Sequence, residues 1–128
     1  MSPALEWHDA PEGVRAFALI MDDAESPVGT WSHWVLYGIP PDARALPEAV
    51  PCGGRVDPVG VQGTNDFGAR GYGGPCAPFD RARRYVFRLY ALGDEVTLPP
   101  GLRRADLFAA LHGRVIAHAE LNARYGAK

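Results

Sequence analysis

Apolar positions along this chain gather in short stretches, each closed by turn-forming or charged residues. Residues 14–21 (Val-Arg-Ala-Phe-Ala-Leu-Ile-Met) are almost continuously apolar and stop at Asp22-Asp23. So short a run without alternation predicts a strand buried on both faces. A polar loop covers 22–30. Trp31-Ser32-His33-Trp34-Val35-Leu36-Tyr37-Gly38-Ile39 is aromatic and β-branched and is halted by Pro40-Pro41, which predicts a second strand. A third is predicted at 84–92. Over 103–112, Leu107, Phe108 and Leu111 fall on one side and Gly113 supplies the stop, the pattern of a short helix. From Ala117 to Tyr125 apolar and polar residues alternate, which predicts a half-exposed strand.

Between these elements, residues 40–82 carry little periodicity and many breakers, ending in Gly71-Tyr72-Gly73-Gly74-Pro75-Cys76-Ala77-Pro78. An irregular stretch of that length in a compact domain carries function or is pinned by its own side chains. Ala10-Pro11-Glu12-Gly13 reads as a turn after Leu5-Glu6-Trp7. No internal repeat or boundary divides the chain, so residues 1–128 read as a single domain.

Composition narrows the function more than the fold. Hydrophobic residues make up 47% of the 128 residues and charged residues 22%, an ordinary globular balance. The 15 glycines and 12 prolines are about a fifth of the chain, consistent with turns between short strands. With a net charge of −2 and no basic cluster interleaved with aromatics, nucleic acid is not an expected partner. The longest apolar run, 16–21, is too short to span a bilayer, and the first residues lack a signal-peptide pattern. The expectation is therefore a cytoplasmic protein in which Cys52 and Cys76, far apart in sequence, are free thiols.

Four groups of residues could carry chemistry. Asp22-Asp23 at one strand end and His33 near the start of the next would share a rim of the sheet. A carboxylate accepting from one ring nitrogen would favour charged imidazole and leave the other N–H for an anion. These acids can equally be solvated loop residues and His33 a packed aromatic, and spacing alone favours that reading. The glycines of 71–75 could present backbone N–H groups to an anion, or simply make a tight turn; they match neither a P-loop nor a dinucleotide fingerprint. Arg81, Arg83 and Arg84 could grip phosphate or carboxylate, or merely be solvated. Cys76 could act as a nucleophile with His33 and Asp23, but a buried structural thiol is favoured. His8, His112 and His118 show no metal-ligand spacing, and neither metal nor cofactor is expected.

Taken in order, the segments resemble the phosphatidylethanolamine-binding protein family, in its prokaryotic Raf-kinase-inhibitor-like branch. The stretches that carry the likeness are Leu5-Glu6-Trp7 with Ala10-Pro11-Glu12-Gly13, 17–23 with Pro27, 33–40, Asn65-Asp66-Phe67-Gly68, 71–78 and 84–92. The resemblance implies a mainly β fold, a β-sandwich with one or two short helices, and a small pocket at one end for phosphate-like anions. Carried over by motif, Asp23 and Pro27 belong to the family's D-P-D-A-P loop and His33 is the pocket histidine, with Trp31 just before it. Gly74, Pro75 and Cys76 match the glycine-rich wall, where backbone N–H groups around Gly73 and Gly74 would hold the anion, and Tyr85 matches the tyrosine of the H-R-Y segment.

The chain departs from the pattern in three ways. The loop reads Asp23-Ala24-Glu25-Ser26-Pro27 and lacks its first proline. Arg83 stands where the family has histidine, and either adds a permanent positive charge to the pocket or turns away and leaves a wall open. The chain also starts after an additional N-terminal segment found in other members, so a sheet edge or core face is expected to need cover, here from a second copy. The implied function is non-catalytic: a phosphate-headgroup ligand is bound, and a kinase, protease or other signalling partner is regulated. The alternatives are a Cys76-dependent hydrolase and a surface-mediated interaction module whose pocket does not function.

Overall fold

The computed structural model describes residues 5–23, 31–47, 50, 53–56, 59–66, 68, 70–71, 83–94 and 97–125; of Asp23, Trp31, Arg83, Arg84, Tyr85 and residues 121–125 it describes the backbone only. The elements are β1 (Leu5–Glu6), β2 (Ala16–Asp23), β3 (Trp31–Ile39), β4 (Ala45–Leu46), β5 (Arg55–Val56), β6 (Gly60–Gln62), β7 (Arg83–Leu92), α1 (Arg104–Leu111) and β8 (Val115–Tyr125). The expected mainly β fold with a short helix is what forms. β1 and β4 make a two-stranded ribbon, and the other strands form one antiparallel sheet in the order β5-β6-β3-β2-β7-β8.

The unbroken apolar run becomes the central strand because both of its faces are covered. Phe17, Leu19 and Met21 point into a cluster with Trp34, Leu36, Phe87 and Ala91, onto which Leu46 and Trp7 also pack. Ala16, Ala18 and Ile20 point the other way, into a cluster with Val35, Tyr37 and Val61 that is closed by Leu107 and Leu111 of α1. The helix thus contributes Leu107 and Leu111, one turn apart, with Phe108 half-buried against the same cluster, and Gly113 follows it at φ +78°, the left-handed stop that the sequence suggested.

Two irregularities interrupt the β2–β3 ladder, one near each end. Gly38, at φ +62°, is the extra residue between the Phe17–Ile39 and Leu19–Leu36 pairs, a bulge that glycine makes without strain. At the other end Met21 pairs with Trp34 but Asp22 with Ser32, so His33 is an inserted residue. In its described first half, β8 is more exposed than its alternation predicts, because it is the outermost strand and its inward positions are only alanines: Ala117 is half-buried while Ala119 is exposed. Val115 and Ile116 are exposed as well.

Candidate functional site

The residues singled out by sequence converge on one end of the sheet as far as they are described. Asp23 of β2 pairs with Trp31 of β3 on one side and with Tyr85 of β7 on the other. Three positions from distant parts of the chain therefore lie side by side across three strands. His33 is two residues from Trp31, inserted by the bulge, and is buried at 4% exposure. A bulge re-aims a side chain without ending the strand, and bulges are common beside functional sites. The backbone of Arg83 lies two residues further out on β7, opposite Tyr125 of β8. Pro27, Gly73, Gly74, Pro75 and Cys76 lie outside the described residues, as do Arg81 and Cys52.

Asp22 is not the solvated loop acid that spacing alone favoured. The strand runs two residues past the expected stop, and the Asp22 carboxylate is buried at 2% exposure. Arg88 of β7 donates to Oδ2 at 3.0 Å, and Arg104 of α1 approaches with Nε 3.2 Å from Oδ1 and Nη2 3.1 Å from Oδ2. Ser32 donates its hydroxyl to Oδ1 at 2.9 Å. Arg88 continues to Glu120 on β8 at 3.2 Å, and Arg104 lies 4.6 Å from the centre of the Phe108 ring. Buried carboxylates persist only when paired and hydrogen-bonded, and here both conditions are met. The partners sit 66 and 82 residues away, which is why no local pattern showed them.

The site also contains residues that the chemistry-bearing patterns missed. Asp66 bonds Ser32 twice: its carboxylate accepts the Ser32 N–H at 2.6 Å, and its own N–H donates to the Ser32 carbonyl at 2.9 Å. Asn65 is fully buried and donates to the Gly71 carbonyl at 2.8 Å. The Gly68 N–H closes a turn onto the Asn65 carbonyl at 3.0 Å, with Gly68 at φ +85°. Asn-Asp with a nearby glycine is a turn signal, and the same stretch is among those that carry the family likeness. Gly63 donates to Val35 at 2.8 Å, and Gly71 donates to Gly63 at 3.3 Å. The start of the glycine-rich segment is thus held against the β3 end that carries His33.

Elsewhere, two adjoining cavities of about 120 and 220 Å³ share Trp7, Leu89 and Ala119 as walls beside β8. No described helix is long and apolar enough to cross a membrane.

A family model for phosphatidylethanolamine-binding protein matches residues 1–126. The UPF0098 protein of Methanothermobacter thermautotrophicus is 44% identical over 125 residues, 98% of this chain and 82% of that protein. UPF0098 protein YbhB of Escherichia coli is 34% identical over 128 residues, 98% of this chain and 81% of its own. Among solved structures, Escherichia coli YbcL, described as a new member of the mammalian PEBP family, superposes with a TM-score of 0.83 at 36% identity, covering 99% of this chain and 80% of that one. A putative phosphatidylethanolamine-binding protein homolog from Chlamydia trachomatis, CT736, gives 0.86 at 33% identity, covering 99% and 82%.

Proposed function

Since the chain belongs to the phosphatidylethanolamine-binding protein family, we propose that it binds a phosphate-like anion, free or as a phospholipid headgroup, at the sheet end around His33, and that it regulates a protein partner instead of catalysing a reaction. The observation that carries this reading is the row of Trp31, Asp23 and Tyr85 across β3, β2 and β7, with the buried His33 inserted beside it. In this reading Asp23 favours the charged imidazole, and His33 and the backbone N–H groups of Gly73 and Gly74 hold the anion. If the Arg83 side chain faces inward, it adds a permanent positive charge to that site. Trp31, Pro27, Pro75, Cys76 and Tyr85 form the wall against whatever bears the anion. Cytoplasmic residence belongs to the same proposal.

The test is an NMR titration with inorganic phosphate and with phosphoethanolamine, on wild type and His33→Ala. Saturable shifts at Asp23, His33 and Gly73 that vanish in the variant support the pocket. A tighter response to phosphoethanolamine than to phosphate points to a lipid headgroup. An unresponsive spectrum at millimolar ligand removes the anion from the function.

A specific observation also favours surface association. The long outer strand β8 has no partner on its free edge among the described residues, Val115 and Ile116 are exposed, and the cavities beside Trp7 lie along it. An open edge of that length is a template for pairing. The proposed cover is a second copy of the chain. Light scattering should give a dimer mass that falls to the monomer value in Ile116→Asp; a monomer in the wild type rejects the pairing.

A further inference from the structure

The buried histidine sits at an irregular point of its strand. A bulge leaves a ladder locally under-bonded, and a slip of one residue would send the inserted side chain to the opposite face. Something outside the β2–β3 ladder must hold β3 in place at this point. Ser32, the residue before His33, is held from two directions. Asp22 accepts its hydroxyl from within the sheet at 2.9 Å, and Asp66 grips its backbone N–H and carbonyl from the loop after β6. The Asp66 contact reproduces the two exchanged hydrogen bonds of an antiparallel pair, with a side-chain carboxylate in place of one carbonyl. Because the acceptor is ionised, its 2.6 Å bond is of the short, strong type.

The same loop also holds Gly71, the first residue of the glycine-rich segment. Asn65, next to Asp66, holds the Gly71 carbonyl, and Gly71 in turn bonds Gly63, which is anchored on Val35 of β3. Gly71 thus closes back on Gly63 and Asn65, while Asp66 and Gly63 hold β3 on both sides of His33, at Ser32 and at Val35. We infer that Asp66 is a positioning residue of the anion pocket: it sets the bulge that presents His33 and ties that bulge to the point where the glycine-rich loop begins. The inference rests on the anion-binding reading for its functional consequence, but its structural content can be read without a ligand.

The experiment compares Asp66→Ala, Asp66→Asn and, as a control, Ser32→Ala. Two quantities are read: the His33 ring resonances through a pH titration, and the affinity for inorganic phosphate. Asp66→Ala should move the His33 resonances and weaken phosphate binding about tenfold or more, with unfolding still cooperative. Asp66→Asn keeps the N–H and an oxygen acceptor and should stay within about threefold of wild type. Ser32→Ala retains both backbone bonds to Asp66 and should leave the His33 resonances near their wild-type positions. Wild-type resonances and wild-type affinity in Asp66→Ala would overturn the inference. Should that variant not fold, Asp66→Glu decides, since the longer side chain must displace Ser32; unshifted His33 resonances there also overturn it. If the wild-type protein binds no phosphate, the anion reading fails by itself, and the resonances alone judge the positioning role.

Discussion

Replacing Asp22 with asparagine is the most informative single perturbation of the sheet end. The amide oxygen can still accept from the Ser32 hydroxyl, so the strand geometry is spared. What disappears is the negative charge shared by Arg88 and Arg104, which lie 3.0 and 3.1 Å from Oδ2. Hydrogen bonds to charged groups are each worth about 1.5–3 kcal/mol net, which sets an upper figure of about 3–6 kcal/mol for the two arginines. The arginine side chains are 29% and 32% exposed, so both cations can rehydrate in the variant and the loss is smaller than for a fully buried pair. The expected cost is about 2–4 kcal/mol. Urea unfolding followed by tryptophan fluorescence measures it directly. Arg104→Gln alone should cost less, because Arg88 still pairs the carboxylate. The double variant should fall short of the sum by about 1 kcal/mol, since the two residues share one interaction. A loss below about 1 kcal/mol for Asp22→Asn would refute the view that this ion cluster holds α1 and β7 to the end of β2.

Other outcomes depend on single contacts. Gly63→Ala should cost about 2 kcal/mol or more in urea unfolding, because the new methyl would collide with the Leu102 carbonyl and stand 3.0 Å from Val35 Cγ1. Tyr37→Phe removes a hydroxyl that donates to the Pro99 carbonyl at 2.6 Å and accepts from the Leu102 N–H at 3.2 Å; a loss of about 1–3 kcal/mol is expected. Burial raises the Tyr37 and Tyr90 phenols above their ordinary value of 10.0, so the folded state prefers them neutral. Their contribution to stability is complete below pH 10 and is lost as pH climbs through the raised values, so the thermal midpoint should fall on the alkaline side, less steeply in Tyr37→Phe. A wild-type midpoint that stays flat through that range would contradict this account.

The strands and the helix are legible in the sequence because their patterns are local. The apolar run of β2, the aromatic and β-branched β3, and the spacing of Leu107 and Leu111 each express which faces must be buried. For the candidate site, the motifs name Asp23, Trp31 and Tyr85 separately, and it is the backbone that sets those three positions side by side in register. What escapes is long-range. The apolar pattern ends β2 too early, because Asp22-Asp23 reads as a polar stop unless Arg88 and Arg104 are known to arrive there. From its local pattern Asp66 looks like an ordinary turn residue, since its two hydrogen bonds to Ser32 span 34 positions and leave no periodic trace. The exposure of β8 depends on its place at the sheet edge, which alternation cannot encode.

The placement of β2 also governs the order in which the molecule can assemble. Its pairing with β3 needs only a short connection, but its other edge waits for β7, whose residues 83–92 come about sixty positions later. A chain emerging from the ribosome therefore carries its most apolar strand with one edge open while about sixty further residues are made, and nothing local can close it. Long-range pairing of this kind is slow and leaves an adhesive intermediate. Refolding from urea should accordingly take milliseconds to seconds and lose yield steeply with concentration, because the element that makes the finished core dry is the one that arrives sticky.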